Sequence, residues 1–139
     1  MPAKRRQEFL ARVPLFAGCT RRELDALARA AEVVDFPAGQ ILMAEGSSGH
    51  EFLVIIEGQV EVERGGTIVA KLGPGDYVGE LALLDAGPRT ATVRTTTATT
   101  AVLLGAREFW SAVDSIPRFD RKLLAGMARR LRDAEATPA

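Results

Sequence analysis

Glu80 and Arg89 are the residues whose types and spacing are best suited to chemistry. Both lie in Gly73-Pro74-Gly75-Asp76-Tyr77-Val78-Gly79-Glu80-Leu81-Ala82-Leu83-Leu84-Asp85-Ala86-Gly87-Pro88-Arg89-Thr90-Ala91-Thr92-Val93. Leu81 to Leu84 are long enough for one helical turn, and the N–H groups that open such a turn have no intrahelical acceptor, so they can receive an anion. Gly79 lets backbone approach closely. Arg89 adds a planar, permanently charged fork that suits phosphate oxygens. A carboxylate at Glu80 should repel a phosphate unless the ligand also carries a hydroxyl for it to accept from. A ribose 2′-hydroxyl beside a phosphate meets both demands. The plainer alternative is that Arg89 only neutralises Glu80.

Other reactive side chains are sparse. His50 and Cys19 are the single histidine and the single cysteine, which leaves little equipment for imidazole-based metal sites or a multi-cysteine cluster. His50 falls in a loop. Tyr77 reads as packing. Cys19 follows Gly18 ahead of a helix, where a low-pKa thiol is conceivable, although an inert structural role is simpler. Gly73, Gly75 and Gly79 have the wrong spacing for a dinucleotide fingerprint, and no Walker A lysine motif is present.

The elements that must position Glu80 and Arg89 follow from hydrophobic periodicity. Thr20-Arg21-Arg22-Glu23 has the form of a capping box, and Leu24, Leu27, Ala28 and Ala31 recur at helical spacing, predicting a helix over 21–31. Val13-Pro14-Leu15-Phe16 before it is a short apolar turn. From Val33 to Leu104 the period changes to that of short strands: 33–36, 40–43, 51–57, 59–64 and 67–72, separated by glycine-containing turns. Gln59-Val60-Glu61-Val62-Glu63 alternates as a half-exposed antiparallel strand does, and Gly65-Gly66 supplies the positive φ of a tight hairpin. Seven threonines between Thr90 and Thr100 suit a pleated surface, and two strands there predict a hairpin around Thr96–Ala98. Helix returns at 106–113 and again at 118–133, with Pro117 suited to the first turn. The second of these helices carries Leu123, Leu124, Met127, Ala128 and Leu131 as one apolar face. The fold expected is mainly β with flanking α, a jelly-roll barrel with an N-terminal helix and two C-terminal helices.

Composition bounds the function. The 139 residues suit one domain, and 47% hydrophobic with 26% charged residues is an ordinary globular mixture. Eighteen basic residues balance eighteen acidic ones, which excludes a uniformly basic nucleic-acid binder. The ends are basic: residues 1–12 carry four basic residues against one acidic, and 118–133 carry six against two. Solvated helical faces are the plain reading of both. No apolar run reaches the ~18 residues of a membrane span, no signal-peptide core follows the N-terminus, and a single cysteine fits a reduced compartment, so a cytoplasmic location is expected. The organisation expected is a basic segment over 1–12, a domain over 13–133 with its barrel at about 33–104 and its helices at about 106–133, and a frayed tail over 134–139.

Gly79-Glu80-Leu81-Ala82-Leu83 and Pro88-Arg89-Thr90-Ala91-Thr92-Val93 resemble the phosphate-binding cassette of the cyclic nucleotide-binding domain family, whose pattern is Gly-Glu-(Leu/Ile)-Ala-Leu, a short spacer, then Pro-Arg-(Thr/Ala/Ser)-Ala-Thr-Val. The resemblance extends through Leu15-Phe16, the Leu24–Leu27 helix, Gly39, Ile41, Glu45-Gly46, the Phe52–Gly58 segment and Gly75-Asp76, covering roughly residues 13–133. It implies that the chain is a non-enzymatic regulatory or sensor module for cAMP or cGMP, with no other cofactor. In that reading Glu80 would hold the ribose 2′-hydroxyl, Arg89 the exocyclic phosphate oxygens, and backbone at Leu81 and Ala82, next to Gly79, the rest of the phosphate. Thr90 would lie beside phosphate and base. Family members with threonine there include both cAMP and cGMP responders.

The family's C-terminal helix moves when ligand fills the barrel and often covers the base. Here Arg129, Arg130 and Arg132 surround that helix's apolar face, and a basic residue from it could stack on or bond the purine without the sequence saying which. A homodimer or a protein effector is the partner expected through the same helix. Only six residues follow Asp133, and a helix-turn-helix reader needs two helices of its own, so no DNA-binding domain is expected within this chain, which is either a stand-alone sensor or a piece of a longer one. Two other readings compete: a degenerate domain that contacts a protein without nucleotide, and a cupin-like metal enzyme on a similar barrel, which one histidine disfavours.

Overall fold

The computed structural model describes residues 3–136. Its helices are α1 (Ala3–Ala11), α2 (Arg21–Ala30), α3 (Glu80–Leu84), α4 (Ala106–Ser115) and α5 (Phe119–Ala136), with a 3-10 turn at Pro14–Phe16. Its strands are β1 (Glu32–Phe36), β2 (Ile41–Met43), β3 (Phe52–Glu57), β4 (Val60–Arg64), β5 (Thr67–Leu72), β6 (Tyr77–Val78), β7 (Thr92–Thr95) and β8 (Thr99–Leu104). They form two four-stranded sheets, ordered β1-β8-β3-β6 and β2-β7-β4-β5, and every pairing is antiparallel. This is the expected jelly-roll barrel with flanking helices.

Strand β3 shows why the fold holds together. Phe52, Leu53, Val54 and Ile55 are all buried because the strand is covered on both faces. Side chains alternate across a strand, so Phe52 and Val54 join the cluster under the helices while Leu53 and Ile55 join Met43, Val60, Val78 and Val93 between the sheets. Strand β6 divides in the same way: Tyr77 faces the helices and Val78 the barrel interior. Stacked Phe52 and Phe109, with centroids 4.9 Å apart, bind the sheet to α4. Phe16 stacks on Phe119 at 5.9 Å and ties the 3-10 turn to α5.

The capping box closes as expected. The Glu23 amide donates to Thr20 Oγ1 at 3.1 Å, and the Thr20 amide donates to Glu23 Oε1 at 2.8 Å. The basic segment over 1–12 contains helix α1, anchored by buried Phe9 and Leu10. Three expectations are corrected. The Thr92–Thr95 and Thr99–Leu104 strands do not pair as a hairpin, because β7 lies between β2 and β4 while β8 lies between β1 and β3. The 96–98 link crosses from sheet to sheet and bonds to the β3–β4 turn, which makes the same crossing: the Thr96 amide donates to the Gln59 carbonyl at 2.9 Å, and the Gln59 amide to Thr97 Oγ1 at 3.0 Å. Pro117 sits in a turn ahead of α5, and Arg118 takes a left-handed φ of 66°. Helix α5 runs on through Ala136, so the tail expected to fray is helical there, and 137–139 lie outside the described residues.

The apolar face expected on α5 is also split. Leu123 and Gly126 are buried against the barrel and Met127 is half-buried, whereas Leu124, Ala128 and Leu131 point outward. Among the described residues no helix is long and apolar enough to cross a membrane.

Candidate functional site

Arg89 is held from two sides. Its amide donates to the Ser47 carbonyl at 2.7 Å, and its carbonyl accepts from the Gly46 amide at 2.9 Å, so the β2–β3 loop fixes its backbone. Its guanidinium is buried, donating from Nη2 to the Glu51 carbonyl at 3.1 Å and from Nη1 to the Gly79 carbonyl at 3.4 Å. Nη2 also lies 3.3 Å from Glu51 Oε2. That carboxylate is 58% exposed against 5% for the Arg89 side chain, so it is a screened and weak partner for a buried cation. The cradle is built to glycine dimensions. A Cβ on Gly49 would stand 2.6 Å from Arg89 Nε. A Cβ on Gly79, whose φ is +97°, would stand 2.4 Å from the Glu51 carbonyl oxygen.

Gly79 is also the N-cap of α3, the short helix expected from Leu81 to Leu84. Glu80 opens that helix and is 3% exposed. Arg89 does not pair with it directly. Its partner is Arg130, whose Nη1 donates to Glu80 Oε1 at 2.8 Å. Arg130 also donates to the Tyr77 carbonyl and lies over the Tyr77 ring, 4.7 Å from its centroid. Burial pushes the Glu80 carboxyl above its ordinary value, and the Arg130 guanidinium, the residue's own backbone amide and Arg89 each pull it back down. The site therefore holds a buried carboxylate and a buried guanidinium, each with its own counter-ion, and α5 closes over the carboxylate.

Leu81 and Thr90 are exposed and Ala82 is half-buried beside them. The Thr90 carbonyl accepts from Arg64 Nε at 3.2 Å. Arg64 was not foreseen in this region, because its strand alternation marks only a solvated residue. Arg130 is one of the three arginines that the sequence offers for stacking on or bonding the purine, and its contact in the structure is instead with the Glu80 carboxylate. Helical periodicity placed those arginines on one helix without showing which of them meets Glu80, fifty positions earlier in the chain.

Several threonines do more than line a pleat. Thr95 is buried and its hydroxyl donates to the Pro37 carbonyl at 2.7 Å, while Thr92 Oγ1 accepts from the Glu45 amide at 3.0 Å. His50 is exposed in the loop, as expected. Burial and the Glu23 charge push the Cys19 thiol up, against a small pull from Lys122, so it is not a low-pKa thiol. Among the described residues no three His, Cys, Asp or Glu side chains come together as metal ligands. Cavities of about 230 Å³ between α2 and α4 and about 280 Å³ beside Phe9 and Pro74 have neither Glu80 nor Arg89 in their walls.

Residues 33–115 match the model of the cyclic nucleotide-binding domain, and the chain belongs to that family. It is 35% identical over 130 residues to the CRP-like cAMP-activated global transcriptional regulator of Mycobacterium tuberculosis, a match that covers 90% of this chain and 58% of that protein. It is 39% identical over 97 residues to the cAMP-dependent protein kinase regulatory subunit of Mycosarcoma maydis, covering 67% of this chain and 18% of the relative. The structure superposes on the Thermus thermophilus catabolite activator protein with a TM-score of 0.76 and 31% identity, over 88% of this chain and 60% of the other. A structure titled cAMP bound PfPKA-R shares the fold, with a TM-score of 0.85 at 22% identity. The chain thus spans little more than half of the Mycobacterium tuberculosis regulator and less than a fifth of the kinase subunit. It is a regulatory domain of the type found in both.

Proposed function

We propose that the chain binds cAMP or cGMP in the barrel and that binding repositions α5. The observation that carries this reading is the pairing of charges in the cassette: a buried guanidinium at Arg89 with only an exposed carboxylate opposite it, and a buried carboxylate at Glu80 within the same segment. Arg89 takes the exocyclic phosphate oxygens, exchanging its contacts to Glu51 for a bidentate anion. Glu80 accepts from the ribose 2′-hydroxyl through Oε2, since Oε1 is engaged by Arg130. Backbone beyond Gly79, at Leu81 and Ala82, completes the phosphate contacts, and Thr90 lies beside phosphate and base.

Helix α5 enters through Arg130. By keeping Glu80 ionised and oriented, the docked helix favours the sugar, and the bound sugar in turn favours the docked helix. This is a population shift by differential affinity. A 2′-deoxy analogue would gain nothing from Glu80. Thermal unfolding with cAMP and cGMP tests the reading: ligand at one hundred times Kd should add about 2.7 kcal/mol of stability. No stabilisation by either at millimolar concentration would favour a degenerate domain that works only through protein contacts.

A surface for such contacts is in place on α5, where Leu124 and Leu131 are 64% and 62% exposed and stand seven residues apart. That spacing suits a helix from a second copy, and we propose a homodimer through it. Light scattering should find a dimer that Leu124→Lys converts to monomer; a monomeric wild type would contradict it.

A further inference from the structure

Gly126 lies in the middle of α5, where glycine is the poorest helix former after proline. Its surroundings account for it. Gly126 is buried, and a Cβ there would stand 2.0 Å from the Tyr77 hydroxyl oxygen and 3.1 Å from Tyr77 Cζ. The tyrosine has little room to yield. It is 7% exposed, its ring packs on Phe52 at 5.5 Å between centroids, and its hydroxyl donates to the Leu123 carbonyl at 3.4 Å. Burial, chiefly, pushes that hydroxyl above its ordinary value.

Arg130 follows Gly126 by four residues, one helical turn on the same face. It lies over the face of the same ring at 4.7 Å and reaches Glu80, three residues after Tyr77. One tyrosine is therefore read twice by α5, through its hydroxyl at Gly126 and through its ring face at Arg130.

We infer that the Tyr77–Gly126 contact is a positioning device that sets the height and register of α5, so that Arg130 lands on Glu80. The side chain missing at Gly126 is what allows the helix to come close enough. Tyr77 and Gly126 are outside the contacts proposed for phosphate and sugar and act through Arg130. This deepens the nucleotide reading, and its link to ligand affinity rests on that reading; the placement of the helix does not.

The suppressor pair Gly126→Ala and Tyr77→Phe tests it. Alanine strengthens the helix locally while its methyl group collides with the tyrosine hydroxyl. Tyr77→Phe removes the oxygen at 2.0 Å and leaves a nearest carbon at 3.1 Å, which a small shift of the ring accommodates. The first readout needs no ligand: the distance between spin labels at Ile68 on β5 and Arg132 on α5. Gly126→Ala should displace or broaden that distance, abolish the Arg130–Glu80 coupling in a double-mutant cycle, and leave helicity undiminished. Tyr77→Phe combined with Gly126→Ala should restore both the distance and the coupling.

An unchanged distance in Gly126→Ala, or no restoration in the double variant, would overturn the inference. The second readout is cAMP and cGMP affinity, where Gly126→Ala should weaken binding at least about fivefold and the double variant should recover it. If wild type binds neither nucleotide, the nucleotide reading fails and the distance measurement still decides the positioning claim.

Discussion

At Glu80, burial and the Arg130 guanidinium pull in opposite directions on the same proton, and burial wins, so the carboxyl titrates above its ordinary value in the folded chain. Between the ordinary glutamate value and that raised value the native state holds more protons than the unfolded one. Stability contributed by Glu80 is therefore present at the acid side of this window and is lost as pH rises through it. Urea unfolding at a series of pH values should show this downward slope in wild type and its loss in Glu80→Gln; equal slopes would sink the assignment. With ligand present, Glu80→Ala should weaken binding of the ribose nucleotide while hardly changing that of its 2′-deoxy analogue, and equal losses would remove the hydroxyl role. The carboxylate and Arg89 were legible in the sequence because their chemical logic is contained in fifteen contiguous residues, Gly79 to Val93. Arg130 was not, because three arginines at 129, 130 and 132 are equivalent until the helix is docked. What we infer to set its register is a contact between a glycine and a tyrosine, and neither carries a charge pattern to reveal it.

Element by element, periodicity served where an element buries one face and failed where tertiary placement decides. Helix α2 and its cap, the β4–β5 hairpin at Gly65-Gly66 and the five-residue α3 all follow from local rules. Strand β6 is two residues long and has no period to find. Among its described side chains helix α1 buries Phe9 and Leu10 within a basic segment, too little for an amphipathic signal. The two strands after Arg89 were identified, but alternation cannot say whether neighbours in sequence pair with each other or join opposite sheets. The apolar residues on α5 looked like one stripe, yet Leu124 and Leu131 face away from Leu123. Gly79, which joins β6 to α3, makes an element-scale prediction of its own. Its φ of +97° and the 2.4 Å clash with the Glu51 carbonyl leave no place for a methyl group. Gly79→Ala should lower stability by about 1–3 kcal/mol and misplace both Glu80 and the carbonyl that holds Arg89. Urea denaturation with a nucleotide titration would check both effects, and a variant as stable and as tight-binding as wild type would contradict them.

For the molecule as a whole, the zero net charge conceals a division between basic ends and a barrel that is acidic on balance. The basic C-terminal helix is turned toward the barrel at Leu123, Gly126 and Arg130, the last meeting Glu80, and turned outward along Leu124 and Leu131. In the proposed reading, ligand, helix and partner surface are connected through one ion pair and one helix, a short path for a population shift. The claim on which this rests is that Arg89 and its neighbours hold a cyclic nucleotide. Calorimetric titration of cAMP and cGMP into wild type and into Arg89→Ala tests it most directly. Saturable binding of at least one nucleotide to wild type is expected, with a loss of roughly 30-fold or more in an Arg89→Ala variant that still unfolds cooperatively. No binding heat from either nucleotide at millimolar concentration, or equal affinities in the two proteins, would contradict it.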